Sequence, residues 1–142
     1  CMVGPDKDGS MEDFRNYVNE LGMGEQIKIT GLLKKEEWIK LAEDYDFFIN
    51  TTNVDNTPIS VIEAMALGLN VISTDPGGIP FLLNNDIDSV LVQRGDACTM
   101  AAEIEKLIKN SSKVGVLSKV ARDKSKKFDH IHVLNQWCEL LV

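Results

Sequence analysis

The segment from residue 55 to residue 68 constrains the fold of this 142-residue chain more than any other stretch. Residues 59–67 are almost entirely apolar, which is typical of a helix that is buried on all sides. Thr57 is a suitable N-cap, and Pro58 suits the first helical position, where its missing N–H is not needed. Gly68 suits the position just past the helix end. The segment therefore predicts a loop followed by a short core helix.

Glu63 is the charged residue in the middle of this apolar helix. Such a carboxylate needs a partner, because an unpaired buried charge is costly. One interpretation is an ion pair or cap with a basic residue of the chain. The other is a ligand whose hydroxyl groups donate hydrogen bonds to Glu63. Free N–H groups at Ile59 and Ser60 would add an anion site at the start of the same helix, so this element can combine a phosphate site with an acceptor for sugar hydroxyls.

Apolar runs alternate with helical periodicities along the rest of the chain. Short strands are predicted around five positions: Val3, Ile29, Phe48, Ile72 and Leu91. Strands that are joined by helices run parallel in one sheet, so the sequence predicts an α/β fold with a Rossmann-like, doubly wound parallel sheet and helices on both faces. The apolar run at 45–50 suits a central strand. The remainder of the chain after residue 96 is predicted to be helical.

The charge of the chain argues against several function classes. A net charge of -7 and a pI near 4.8 disfavour nucleic-acid binding, which needs a basic surface. No apolar run approaches the ~20 residues of a membrane helix, and no signal peptide is visible. The three cysteines have no metal-type spacing, and reduced thiols in a cytoplasmic protein are the simplest interpretation. A basic cluster at 119–127 is either a solvated helix face or a contact to an anionic membrane surface, which would make the protein membrane-associated.

Several spaced elements around the apolar helix resemble one known motif. Seven residues separate Asp55 from Glu63, and Ala64-Met65-Ala66-Leu67-Gly68 follows. Two further elements come next in order, Asn70-Val71-Ile72-Ser73-Thr74 and Gly77-Gly78-Ile79-Pro80-Phe81. This run resembles the donor-site motif of family 4 of the retaining GT-B glycosyltransferases, and the likeness extends over most of the chain.

The resemblance implies that residues 1–142 form a single nucleotide-sugar-binding, Rossmann-like domain, the C-terminal domain of a GT-B enzyme, with a C-terminal helix from about residue 128. It also implies that the chain is truncated at its N-terminus and lacks the N-terminal domain of the same protein, so that the isolated fragment is inactive. The full-length protein would transfer a sugar from a nucleotide-diphosphate sugar to a glycan or lipid-linked acceptor, as in polysaccharide biosynthesis. The nucleotide sugar is the donor substrate, and no cofactor or metal is expected.

The resemblance also implies roles for particular residues. Asp55 would be the catalytic residue, contacting hydroxyls of the transferred sugar, and Glu63 would accept hydrogen bonds from the ribose. The other expected substrate contacts in this segment are Asn56, Thr57, Pro58, Ile59 and Ser60. Those expected against the nucleotide base are Gly31, Leu32 and Leu33, although the two leucines also suit a hydrophobic anchor between strand and helix. The family's diphosphate-binding Arg and Lys are expected upstream of this chain.

The chain departs from the family pattern at four places. Asp55 stands where glutamate is commoner, and its carboxylate reaches one methylene less far. Residues 56–58 replace a glycine-rich run, Asn70 replaces a frequent proline, and Phe81 replaces a frequent glutamate. The departures at Asp55 and at residues 56–58 favour an alternative function, a noncatalytic nucleotide- or sugar-binding module with a degenerate donor site.

Overall fold

The computed structural model describes residues 1–141. They divide into two compact units, residues 1–41 and the residues from 42 onward. The strands are β1 (Phe47–Asn50), β2 (Asn70–Thr74) and β3 (Ser89–Val92). The helices are α1 (Ser10–Glu20), α2 (Lys35–Ala42), α3 (Ile59–Leu67), α4 (Ile79–Leu82), α5 (Ala97–Ile108), α6 (Ser111–Ser125) and α7 (His130–Leu140), with a 3₁₀ turn at Lys126–Phe128 before α7.

The first unit pairs its two extended segments through a single parallel bridge, between Met2 and Ile29. The N–H of Met2 donates to the carbonyl of Lys28 at 2.8 Å. Extension of this ladder is opposed on one side by Pro5, which has no N–H, and on the other by Gly31, whose φ is +70°. The segments around Val3 and Ile29, which are predicted as strands, therefore form one bridge with each other instead of a longer ladder.

The second unit is built on a three-stranded parallel sheet in the order β1-β2-β3. The predicted α/β class with a parallel sheet is confirmed. All five residues of β2 are buried, and β2 is the central strand. The prediction that the run at 45–50 is central is wrong within this sheet, since β1 lies at its edge and Ile49 is 50% exposed.

One face of this sheet carries the main core. Side chains alternate between the two faces of a strand, and the register places Ile72 beside Val90. Two helices, α5 and α6, pack on this face. The buried cluster consists of Ile72, Val90, Val92, Met100, Leu107 and Leu117. This packing fixes β2 and β3 in register and so sets where their C-terminal loops begin.

Helix α3 buries one stripe and exposes the opposite side, so the prediction of burial on all sides is wrong. Val61, Ala64 and Met65 are fully buried, but Ile59 in the first turn is 71% exposed. The buried positions follow the spacing of one helix face, and the sheet and α6 cover only that face. The helix ends at Gly68 as predicted, with φ +84°.

Asn70, where the related family usually has proline, begins β2. Its N–H donates to the carbonyl of Asp46 at 2.9 Å, a hydrogen bond that proline cannot make. Its side-chain nitrogen donates to the same carbonyl at 3.3 Å. Among residues 1–141, its buried Oδ1 has no hydrogen-bond partner. The substitution therefore adds backbone pairing at the start of the strand and leaves one buried acceptor unsatisfied.

Candidate functional site

The loop at residues 51–56 follows β1 and carries Asp55. Because the three strands are parallel, their C-terminal loops meet at one edge of the sheet, where open α/β sheets bind ligands. Asp55 is half-buried in this loop. The predicted catalytic carboxylate therefore lies on the edge of the sheet that suits a ligand site.

Three backbone carbonyls of the 51–56 loop accept hydrogen bonds from residues at the ends of the neighbouring strands. The bonds are Thr74 Oγ1 to Thr52 O (2.7 Å), Gly78 N to Asp55 O (2.9 Å) and Arg94 Nη1 to Asn53 O (3.4 Å). The donors follow or end β2 and β3, so both strands help to hold the loop. The loop is thereby held through its main chain, and these three bonds do not use the Asp55 side chain.

Gly77 and Gly78 lie directly against this loop. A Cβ at Gly77 would be 2.2 Å from the carbonyl oxygen of Asp55, and a Cβ at Gly78 would be 1.8 Å from that of Asn56. Gly77 also has a φ of +59°, which side chains disfavour. Glycines after a strand suit close approach to a ligand or a tight turn. In the structure their near neighbour is the chain's own loop.

The Asp55 carboxylate itself has no hydrogen bond or ion pair with any of residues 1–141. Its main chain is held by Gly78, but its side chain is not engaged by that contact. A half-buried carboxylate of this kind retains acceptor sites on both oxygens. It can therefore accept hydrogen bonds from ligand hydroxyls without breaking a structural contact.

The N-terminus of α3 begins one residue later than predicted. Pro58 is the N-cap, with φ -67° and ψ 117°, and its carbonyl accepts from the N–H of Val61 at 3.1 Å. The prediction that Thr57 is the N-cap is wrong, because the extended ψ of the proline keeps it outside the helix. In the part of the chain that the structure describes, no partner accepts from the N–H groups of Ile59 and Ser60. Both residues are exposed, so these amides suit an anion.

Glu63 lies one turn into α3 and is half-buried. The residue three positions before it is Ser60, so the two share a helix face and the carboxylate follows the free amides along the helix. The expectation of a fully buried carboxylate is wrong, because only the opposite stripe of α3 is covered. Asp55, the helix N-terminus and Glu63 thus follow one another on a single loop–helix element.

The predicted base-contact residues lie in the first unit. Gly31 lines a cleft of about 410 Å³ together with Arg15 and two carboxylates, Asp6 and Glu12. Leu32 is 78% exposed, whereas Leu33 is half-buried. An exposed leucine does not act as a hydrophobic anchor, so that interpretation fails for Leu32.

Two cations in these regions were missed by the sequence analysis. Arg94 comes two residues after β3, and Arg15 lies on α1 beside Gly31. The signal for Arg94 was present, since a charged residue just after a parallel strand lies at the ligand edge of the sheet. Arg15 had no such signal, because only the folded first unit brings it to Gly31.

The carboxylate of Asp96, just before α5, makes hydrogen bonds within the protein. The Oδ1 of Asp96 accepts from the N–H of Thr99 at 2.9 Å, and its Oδ2 accepts from the Thr99 hydroxyl at 2.6 Å. These hydrogen bonds hold the pKa of Asp96 below its ordinary value, and the bond from the hydroxyl has the larger effect. Asp96 therefore caps α5, and its carboxylate has a structural partner that the Asp55 carboxylate lacks.

Within residues 1–141, no cluster of three or more His, Cys, Asp or Glu side chains has an arrangement that could hold a metal ion. The same residues contain no helix with the length and apolar character needed to cross a bilayer.

Comparison with known proteins links this geometry to one group of enzymes. The family model described as glycosyl transferases group 1 matches residues 1–124. The amylovoran biosynthesis glycosyltransferase AmsK of Erwinia amylovora is 28% identical over 122 residues, covering 81% of this chain and 30% of that protein. The sulfoquinovosyl transferase SQD2 of Arabidopsis thaliana is 24% identical over 119 residues, covering 82% and 23%. The chain thus spans less than a third of the length of these two relatives.

Solved structures share the fold. Alr3699/HepE of Anabaena, crystallised with UDP, superposes with a TM-score of 0.88 at 22% identity, covering 98% of this chain and 39% of that one. Its complex with UDP-glucose gives a TM-score of 0.87 at 22% identity with the same coverage. The C-terminal domain of the group 1 protein LpcC from Francisella tularensis gives 0.74 at 20% identity, covering 82% and 60%. With the family model matching most of its length, the chain belongs to the glycosyl transferases group 1 family.

Proposed function

We propose that this chain is the donor-binding domain of a retaining glycosyltransferase, which transfers a sugar from a nucleotide-diphosphate sugar to a glycan or lipid-linked acceptor. The observation that carries the proposal is the single loop–helix element in which Asp55, two free helix amides and Glu63 follow one another. A nucleotide-diphosphate sugar presents a sugar, a diphosphate and a ribose in that same order along its length. Family membership supports the transferase activity.

The free N–H groups of Ile59 and Ser60 are proposed to bind the diphosphate. Backbone donors at a helix N-terminus stabilise anions, and the helix dipole adds to them. When the bond between the anomeric carbon and the diphosphate oxygen breaks, the diphosphate leaves with the bonding electrons. The same amides then stabilise the added negative charge. The acceptor oxygen forms the new bond to the anomeric carbon, and its proton passes to the departing diphosphate oxygen. In a retaining enzyme the anomeric configuration is preserved.

The two carboxylates are proposed to bind hydroxyls at either side of the diphosphate. Glu63 accepts from the ribose, and Asp55 accepts from the transferred sugar and so sets the position of its anomeric carbon. Asn56 and Thr57 are exposed and are proposed to contact the sugar, whereas Pro58, also expected to contact the substrate, is buried in the structure. In the first unit, Gly31, Leu32 and Leu33 are proposed to contact the base, consistent with the cleft at Gly31.

The relatives and α7 support proposals for the acceptor and for the partner domain. AmsK is named for amylovoran biosynthesis, which favours a glycan acceptor.

Helix α7 buries none of its residues, and Ile131, Leu134 and Trp137 are each 58% exposed. We propose that this face packs against the N-terminal domain of the full-length protein. We also propose a cytoplasmic location, since the three cysteines are unpaired and nucleotide sugars are the donors.

The noncatalytic alternative rests on the departures from the family pattern. Phe81 is 92% exposed where a glutamate is usual, and Asp55 is shorter than the usual acid. A module that only binds would keep the amides and Glu63 but lose the groups that act on the sugar. It would bind a nucleotide sugar without transferring it.

A panel of UDP-, GDP- and ADP-linked hexoses tests the proposal on the full-length protein. Thermal stabilisation identifies the nucleotide sugar that binds, and release of the nucleoside diphosphate with a glycan acceptor measures transfer. We expect one nucleotide sugar both to stabilise the protein and to be turned over. Stabilisation with no turnover would establish the noncatalytic alternative, and no stabilisation by any of them would overturn both.

A further inference from the structure

The Gly77–Gly78 pair has a role that neither the family motif nor the proposed contacts assign. We propose that this pair is a positioning element, which sets the location of the Asp55 carboxylate by letting the 51–56 loop lie directly on it. The inference rests on the proposed function, in which Asp55 contacts the transferred sugar. It differs from the view that the glycines make room for a ligand.

A position can require glycine because of its backbone conformation or because a side chain has no room. At Gly78 these two reasons can be distinguished. Its φ of -87° is open to any residue, so conformation does not require a glycine there. The Cβ of any other residue would, however, lie 1.8 Å from the carbonyl oxygen of Asn56 and 2.8 Å from its Cα. Both contacts are with backbone, which cannot turn away as a side chain can. Glycine is therefore needed at this position because any side chain would collide with the loop.

The same peptide unit also holds the loop by a hydrogen bond. The N–H of Gly78 donates to the carbonyl of Asp55 at 2.9 Å, immediately beside the crowded contact with Asn56. Gly77 adds a second close surface, since its Cβ would lie 2.2 Å from that Asp55 oxygen. The main chain on both sides of the Asp55 peptide is thus placed by one glycine pair.

An alanine at residue 78 must push the loop away by roughly 1 Å, since Cβ contacts under about 3 Å are not tolerated. A displacement of this size at a reacting group costs about a hundredfold in rate. The helix N-terminus is held independently, because Val61, Ala64 and Met65 of α3 are fully buried. We therefore expect turnover to fall while affinity for the nucleotide portion is retained.

The test uses the full-length protein with Gly78→Ala, and Gly115→Ala as the matched control. Gly115 has an ordinary backbone conformation and nothing within 4 Å of its added Cβ. Three quantities are measured: turnover of the nucleotide sugar found in the panel, its dissociation constant, and hydrogen exchange of the residue-78 amide, which donates to the carbonyl of Asp55. For Gly78→Ala we expect about hundredfold slower turnover, a dissociation constant within about threefold, and faster exchange at residue 78. Gly115→Ala should change none of the three.

Other outcomes overturn the inference. If exchange at residue 78 is unchanged, or if affinity weakens in proportion to turnover, the glycines serve the ligand and not the loop. Should Gly78→Ala fail to fold, exchange of the Gly78 amide is measured in the parent protein. Slow exchange supports its hydrogen bond to Asp55, and exchange at the rate of an unbonded amide would overturn the inference.

The exchange measurement also separates this inference from the proposed function. If Asp55→Asn keeps full turnover, the catalytic role of Asp55 fails. Exchange of the residue-78 amide would still report whether the glycine pair holds the loop. The two claims therefore fail by different results.

Discussion

The ammonium nitrogen of Lys124 lies 2.7 Å from Oδ2 of Asp88, a carboxylate that is only 1% exposed. The other oxygen, Oδ1, accepts from the N–H of Asn84 at 2.8 Å. This pair ties α6 to the turn that precedes β3. Since β3 ends at the ligand edge of the sheet, the pair helps to set the position of the loop that carries Arg94.

Removing Lys124 should destabilise the protein strongly. Lys124→Met keeps the length of the side chain but leaves the Asp88 carboxylate without its countercharge. Breaking a buried pair costs 3–5 kcal/mol, and because Lys124 is itself 20% exposed we expect about 3 kcal/mol, measured by urea unfolding. The control is Lys126→Met, whose pair with Asp123 is exposed and should contribute little. Equal losses in both variants would contradict this account.

Glu63→Gln should weaken donor binding. The amide keeps the shape and one acceptor but loses the charge that strengthens hydrogen bonds from ribose hydroxyls. Such bonds contribute about 1.5–3 kcal/mol, so affinity for the nucleotide sugar should fall about ten- to a hundredfold in calorimetry. Glu105→Gln, on the exposed side of α5, should leave affinity unchanged. A lower melting temperature with unchanged affinity would show instead that Glu63 is a structural residue.

Asp55→Asn should act mainly on turnover. Its proposed partner is the sugar near the reacting carbon, so the lost interaction matters most in the transition state. We expect turnover about a hundredfold lower with a dissociation constant changed by less than about threefold, from steady-state and binding measurements. Asp75→Asn is the control, an exposed carboxylate in the loop that follows β2. A parallel loss of affinity and turnover would mean that Asp55 binds the ground state equally well.

The Asp96 cap should give a pH-dependent contribution to stability. Hydrogen bonds from Thr99 lower the pKa of Asp96 from its ordinary value of 3.8. A lowered folded-state pKa means that the stabilisation is present above 3.8 and is lost as the pH falls through the lowered value. Asp96→Ala should therefore melt at a lower temperature near neutral pH, and the difference should shrink in strong acid.

Melting curves of the parent protein and Asp96→Ala across this pH range check the expectation. Asp44→Ala serves as the control, since Asp44 is exposed and has no hydrogen bond among residues 1–141. A difference between parent and Asp96→Ala that stays constant down to strong acid would contradict the cap.

Features set by nearby residues were predicted from the sequence. Strand β3 (Ser89–Val92) lies around Leu91 as predicted, because its apolar run is flanked by turn residues. Gly68 ends α3 as predicted, because its φ of +84° favours glycine. The C-terminal helix starts at His130, two residues after the predicted position. Local chemistry decides each of these features.

Features set by contacts between distant residues were not predicted. The 51–56 loop depends on Gly78, which is far along the chain, and only the register of the parallel strands brings the two together. Burial of α3 was overestimated, since composition does not reveal which face the sheet and α6 leave open. The roles of Asp55, Glu63 and residues 31–33 stay predictions until a nucleotide sugar is bound.

Helix α7 has eleven residues and buries none of them. Isolated helices of fewer than about 12–15 residues are marginal in water, so packing on the remaining chain contributes little to holding this one folded. The helical content of α7 should therefore depend on whether another surface packs against it. The circular dichroism of α7, or the exchange lifetimes of its amides, should rise when its exposed Trp137 face is covered, and the indole fluorescence of Trp137 should shift to the blue at the same time.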